Sequence, residues 1–154
     1  DCRPVKGVTG AADKDTIVST LGRYGIAAEA VTLWGTGRPL REFLWSEEMA
    51  DASVFVMEQV DFKDLVGTSK EVRNCHINIG TAKEISIGDL ARLIVDTVGY
   101  RGRLQFDATK PDGTPRKLCD VTRLHSLGWY HKIEIEEGVG RLYRWYANSI
   151  NPSL

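Results

Sequence analysis

The sequence predicts short strands alternating with helices, an α/β or α+β domain, and three observations lead there. Apolar residues recur at helical spacing in several stretches, most clearly where Ile87, Leu90, Ile94 and Val98 form one stripe. Between such stretches lie brief runs rich in branched and aromatic residues, such as Val31–Trp34 and His76–Ile79. Turn chemistry separates them, with Gly-Thr-Gly after Trp34 and Pro-Asp-Gly after Lys110. The strands are too few and too short for a complete doubly wound nucleotide-binding sheet.

Taken in order, residues 1–15 form a lead-in rich in Gly, Ala, Asp and Lys. Asp13–Tyr24 suits a short helix with Ile17, Leu21 and Tyr24 on one face, and Gly25 ends it. Val31–Trp34 is a strand closed by the glycine turn, and Arg41–Trp45 alternates into a second. Ser46 is placed to cap a helix reaching about Gln59, with Glu47 and Glu48 at the positive end of its dipole. That helix is apolar on most sides and is expected to be largely buried. Asp61–Asn74 reads as a loop and His76–Ile79 as a strand. Ser86 opens the clearest helix, with Asp89 three residues on as a weak capping box and Gly99 as its stop. Leu104–Phe106 is a further strand. Asp120 can cap a short helix with Leu124 and Leu127 inside and Gly128 at its end. The last helix, about Ile135–Ser149, is expected to bury Ile135, Val139, Leu142, Tyr143 and Tyr146. The tail NPSL has no pattern, and there are no internal repeats.

With 154 residues, 42% of them hydrophobic, the chain can build a core. Its formal net charge of −1 offers no global field for nucleic acid or an anionic membrane, so any anion site must be a local cluster of Arg and Lys. No apolar run approaches the roughly 20 residues that span a bilayer. The stretch DCRPVKGVTG lacks the apolar region of a signal peptide. Cys2, Cys75 and Cys119 are odd in number and widely spaced, which argues against a disulfide framework and a zinc site. Reduced thiols in a cytoplasmic protein are expected.

Two cationic segments stand out. In KPDGTPRKLCD (Lys110–Asp120), two prolines and an Asp-Gly pair stiffen a turn from which Arg116 and Lys117 emerge side by side. Thr114, before Pro115, is pushed to an extended conformation. Neighbouring side chains in an extended segment point to opposite faces, so one cation reaches a ligand while the other faces solvent or an acid. Asp112 at the tip can accept hydrogen bonds from sugar hydroxyls, though a solvated surface turn is the commoner use of such residues. In WGTGRPLREF (Trp34–Phe43), Trp34 ends a strand and offers a flat face to a base or sugar ring. Arg41 can make bidentate contacts with phosphate oxygens. The plain alternative is a core Trp with an Arg paired to Glu42 or Glu47. Together the segments suggest a site for an anionic, sugar-like ligand.

No catalytic apparatus accompanies them. There is no G-x-G-x-x-G fingerprint and no Walker loop. No Tyr-x-x-x-Lys pair occurs, since Tyr24, Tyr100, Tyr130, Tyr143 and Tyr146 are followed four on by Ala28, Leu104, Glu134, Ala147 and Ile150. His76 reads as a packing residue, and His125 and His131 as surface residues.

In this order, WGTGRPLREF and KPDGTPRKLCDVTRLHSLGW resemble the C-terminal part of the GDP-L-fucose synthase family, within the extended short-chain dehydrogenases of the NAD(P)-binding Rossmann superfamily. The resemblance covers about Val31–Ala147. It implies an α/β, C-terminal substrate-binding portion with about four to five helices, a lead-in or insertion at 1–30 and a nucleotide-sugar-binding domain at 31–150. It implies an NADPH-dependent, cytoplasmic, homodimeric whole enzyme that epimerises GDP-4-keto-6-deoxy-D-mannose and reduces it to GDP-L-fucose. By motif position Trp34, Arg41, Asp112 and Lys117 are substrate-binding, with Arg41 and Lys117 facing the diphosphate. The family's nucleotide-binding half, its Ser and Tyr-x-x-x-Lys, and the Cys and His used in epimerisation lie N-terminal to the matching segment. This chain is therefore expected to hold no catalytic residue, to bind no cofactor and no metal, and to be inactive alone. Arg38 and Leu40 stand where Thr and Met are more usual. A free-standing nucleotide-sugar-binding module and the substrate domain of a related epimerase or dehydratase are the alternatives.

Overall fold

The structure, a computed structural model, describes residues 5–66, 68 and 72–150. Cys2, the tail NPSL and part of the expected loop Asp61–Asn74 lie outside the described residues. The chain divides into two compact units, one of residues 1–39 and 87–115, the other of 40–86 and 116–154.

The first unit is built on two parallel strands. Helix α1 (Lys14–Gly22) is capped by Asp13, whose Oδ1 accepts the Thr16 amide at 2.8 Å. It stops short of Tyr24, which is exposed, because the chain turns back over 22–25 through Gly25 at φ +74°. Strand β1 (Ala30–Trp34) runs through a β-branched stretch into the glycine turn. It pairs in parallel with a later strand over 103–107, from Ala30 opposite Arg103 to Trp34 opposite Asp107. The two strands therefore end together, and the turns that follow them share one edge.

The glycine turn is tight by necessity. Gly37 sits at φ +74°, and a Cβ on it would meet Phe106 Cε1 at 2.5 Å. Gly37→Ala is expected to cost about 1–3 kcal/mol through left-handed strain and overpacking, measured as a lowered urea midpoint.

In the second unit, strand β2 (Leu40–Arg41) is shorter than the expected Arg41–Trp45. The ladder stops where Glu42 turns its carboxylate to the amides of other segments. Helix α2 (Ser46–Gln59) begins one residue after its cap position, which is Trp45 with no side-chain cap bond, so Ser46 does not cap it. Nor is it largely buried: Ala52 and Glu48 are, while Met57 is 82% exposed. Only the strip that meets the core is covered, and an all-round apolar helix does not itself say which strip that is. A short helix, α3 (Phe62–Val66), occupies part of the expected loop.

His76–Ile79 forms no ladder. A side chain bonds the backbone at its start instead: Arg123 Nη1 donates to the carbonyls of Asn74 and His76 at 2.6 and 2.7 Å. Ile77 and Ile79 still pack on the core as their alternation implied. Strand β3 (Ile85–Ser86) claims Ser86, which was expected to open the next helix.

That helix, α4 (Ile87–Val98), belongs to the first unit and ends at Gly99, φ +69°. Ile94 at the heart of its expected stripe is exposed. Strand β4 (Arg103–Asp107) is the partner of β1. Back in the second unit, β5 (Arg116–Lys117) completes a three-stranded sheet of order β3–β2–β5, antiparallel then parallel. Helix α5 (Thr122–Ser126) follows, with Asp120 Oδ1 accepting the Thr122 amide at 3.0 Å. Helix α6 (Ile135–Ile150) opens on Glu136 and Glu137 as its dipole favours.

The second unit's core is Ala52, Val121, Leu124 and Trp129, with Leu44, Phe55, Val56, Ile77 and Ile79 packed around it. Glu48 is buried beside it and accepts the amides of Lys132 and Ile133. Among the described residues nothing covers much of α6: Leu142, Tyr143 and Tyr146 are exposed, contrary to their expected burial, and so is Trp145. Periodicity marks the face a helix can bury and leaves its cover unnamed. His125 and His131 are not surface residues either; both are half-buried, and the His125 ring stacks on Tyr130.

Candidate functional site

The sequence-derived site residues fall in two pairs, one in each unit. Trp34 and Asp112 lie at the carboxyl edge of the β1–β4 sheet, the edge at which open α/β sheets receive ligands. Trp34 is 74% exposed, so it is not the core Trp of the plain alternative. Lys110 Nζ lies over its ring, 5.8 Å from the centroid, a cation–π distance. Asp112 ties the two turns of this edge together. Its Oδ1 accepts the Thr36 amide at 2.7 Å and its Oδ2 the Thr36 hydroxyl at 2.6 Å.

These bonds hold the Asp112 carboxyl below the usual carboxylate range, first through the hydroxyl, then through the amide, with Arg38 adding its field. The stabilisation is therefore complete above the unfolded value, roughly pH 3.9, and is lost as pH falls through the lower folded value. The Thr36 amide resonance is expected to titrate with a midpoint below that of a free Asp, and Asp112→Asn is expected to remove the transition.

The same bonds show what this turn does not hold. The Thr36 amide is taken by the chain's own carboxylate, and Phe106 and Asp112 fill the space against Gly37 and Gly35. A dinucleotide phosphate needs free amides and close backbone approach, so this glycine turn is not built as a dinucleotide phosphate loop.

In the second unit the other pair meets directly. Arg41 and Lys117 are register partners across the β2–β5 ladder. Paired residues project to the same side of a sheet and their neighbours to the other. Arg41 and Lys117 therefore share one face with Ile85, while Leu40, Arg116 and Ser86 share the other. Arg116 is occupied: its Nε donates to Glu84 Oε1 and Oε2 at 2.8 and 2.9 Å, and Nη2 pairs with Oε2 at 2.7 Å. Lys117 is exposed and forms no ion pair among the described residues. The adjacent cations thus divide as an extended segment requires, one to an acid and one outward. Arg41 is half-buried, and its Nη1 donates to the Leu40 carbonyl at 2.6 Å.

Glu42, which sequence reading treated only as a possible partner for Arg41, organises this corner. Its carboxylate accepts amides from Thr81, Ala82 and Cys119. No local signal could have found it, because these partners lie 39, 40 and 77 positions away. Cys119 and Cys75 are free thiols, and burial with the nearby Glu42 charge pushes the Cys119 thiol up. A cleft of about 220 Å³ opens nearby between Phe43, Ile85, Ile133 and Ile135, with the Lys83–Glu134 pair on its wall. Those opposite charges satisfy each other, so the cleft is no second anion site. Among the described residues no cluster could hold a metal ion, and no helix is long and apolar enough to cross a membrane.

Comparison with known proteins shows what the chain is similar to. Residues 7–80 match the NAD dependent epimerase/dehydratase family. The chain is 51% identical over 122 residues to the GDP-L-fucose synthase of Escherichia coli K12, which covers 79% of this chain and 37% of that protein. It is 43% identical to GDP-L-fucose synthase 1 of Arabidopsis thaliana, over 80% of this chain and 35% of the relative. The fold superposes with a TM-score of 0.85 on a GDP-6-OMe-4-keto-L-xylo-heptose reductase from C. jejuni, at 39% identity, over 90% of this chain and 39% of that one. The chain thus spans little more than a third of the length of these relatives. With its α/β architecture and the family match in agreement, the chain belongs to the NAD dependent epimerase/dehydratase family.

Proposed function

We propose that this chain is the GDP-sugar-binding part of a GDP-L-fucose synthase, with a lead-in at 1–30 and the binding domain at 31–150. The whole enzyme, a cytoplasmic homodimer in this reading, turns GDP-4-keto-6-deoxy-D-mannose into GDP-L-fucose by epimerisation and NADPH-dependent reduction. The observation behind the reading is the register of Arg41 against Lys117, two cations on one sheet face in a chain of net charge −1. They take the diphosphate, Arg41 as a planar fork and Lys117 as a point charge. Trp34 supplies an exposed ring for stacking. Asp112 positions the glycine turn through Thr36 and keeps lone pairs for sugar hydroxyls. No proton or hydride step is assigned to this chain, which carries no Tyr-x-x-x-Lys pair.

Calorimetry on the chain tests this. GDP-fucose is expected to bind, while NADPH gives no heat and no turnover occurs. Equal or tighter binding of UDP-glucose would instead point to a different nucleotide-sugar enzyme. NADPH oxidation by the purified chain, with a keto-sugar substrate, would refute the assignment of catalysis to residues outside it.

A further inference from the structure

We propose that Glu42 is a positioning residue that holds Arg41 and Lys117 side by side for a diphosphate, a role that rests on the nucleotide-sugar reading above. The ladder pairing the two cations is two residues long in each strand. Strands usually run to about five or six residues, so this ladder has little hold on its own register. It also sets two positive charges opposite each other, which opposes pairing.

The carboxylate beside Arg41 supplies the missing hold. Oε1 accepts the amides of Thr81 and Ala82 at 2.6 and 2.8 Å, and Oε2 accepts the Cys119 amide at 2.9 Å. Cys119 lies two residues beyond Lys117. One side chain on the residue after β2 therefore fastens the exit of β5 and the turn before β3. Bonds to an ionised acceptor are shorter and roughly twice as strong as neutral ones.

Two further features fit the surroundings to a carboxylate. Thr81 and Ala82 present successive amides, with Ala82 at φ +60°, an arrangement that makes an anion-binding nest of the backbone. At Gly80 a Cβ would stand 2.5 Å from Oε1, so any larger residue there would push the carboxylate from this position. Burial pushes the Glu42 carboxyl up, but the amide bonds from Cys119, Ala82 and Thr81 outweigh it and hold the group below the usual range. It is therefore ionised at neutral pH, where the cations are charged as well.

Glu42→Gln keeps the size, removes the charge and turns one acceptor into a donor facing amides. The test is a double-mutant cycle for GDP binding, Arg41→Ala against Lys117→Ala, run on the chain with Glu42 and with Glu42→Gln. With Glu42, the two cations are expected to be coupled by about threefold or more in affinity, because they grip one ligand. With Gln the coupling disappears, GDP affinity falls several-fold, and amide hydrogen exchange at 116–119 quickens by about tenfold. Should Glu42→Gln fail to fold, Gly80→Ala keeps the charge, displaces the carboxylate, and is expected to quicken the same amides. GDP binding whose coupling survives Glu42→Gln overturns the positioning role alone, as does unchanged exchange at 116–119 in a folded variant. Absence of GDP binding by the unaltered chain overturns the nucleotide-sugar reading, and the positioning role with it.

Discussion

Trp129→Ala is expected to destabilise the second unit by about 3–5 kcal/mol, the range for truncating a buried large aromatic. Trp129 is 6% exposed and stands in the core with Ala52, Val121 and Leu124. Its indole N–H also donates to Asp51 Oδ2 at 2.8 Å, so truncation leaves a carboxylate oxygen without its donor. Domains of this size have total stabilities of about 5–15 kcal/mol, so the loss is a large share. Urea unfolding read by circular dichroism measures it. Trp129→Phe is expected to lose less, since it retains most of the apolar volume and sacrifices the indole bond. A Trp129→Ala cost below about 1 kcal/mol would mean that this core does not hold the unit together.

The second large effect is on binding. Lys117→Ala and Arg41→Ala are each expected to weaken GDP-fucose binding by about tenfold or more, the worth of a hydrogen bond to a charged group. Both should flatten the salt dependence, since each removes a screened charge from the ligand's surroundings. Arg41→Lys is expected to recover only part of the loss, because an ammonium cannot reproduce the bidentate fork. Arg116→Ala serves as the contrast: Arg116 lies on the other face with Glu84, so the affinity should change little. Equal losses at Arg116 and Lys117 would mean that the sheet face does not decide which cation meets the ligand.

Much of the fold was legible where the signal is local. The short apolar runs Val31–Trp34 and Leu104–Phe106 marked the strands that span Ala30–Trp34 and Arg103–Asp107, and Gly99 and Gly128, both at positive φ, marked the ends of α4 and α5. The opposite facing of Arg116 and Lys117 followed from the period of a strand alone. What failed depended on distant partners. Arg41–Trp45 alternates well, yet the ladder ends at Arg41 because Glu42 is engaged with amides up to 77 positions away. His76–Ile79 reads as a strand, but it joins no ladder, and Arg123 rather than a neighbouring strand takes the His76 carbonyl. The stripe on α6 was read correctly as apolar, but only Ile135 and Val139 are partly covered, while Leu142, Tyr143 and Tyr146 are exposed. For the site, residue types and motif order brought out Trp34, Arg41, Asp112 and Lys117. Thr36 and Glu42, which orient them, carry no local mark.

The central claim is that the face shared by Arg41 and Lys117 grips a diphosphate. Calorimetric titration of the chain with GDP and with guanosine, each at low and at physiological salt, tests it most directly. GDP is expected to bind at least about tenfold more tightly than guanosine, with an advantage that shrinks as salt rises. Equal affinity for the two, or a GDP advantage indifferent to salt, would contradict it.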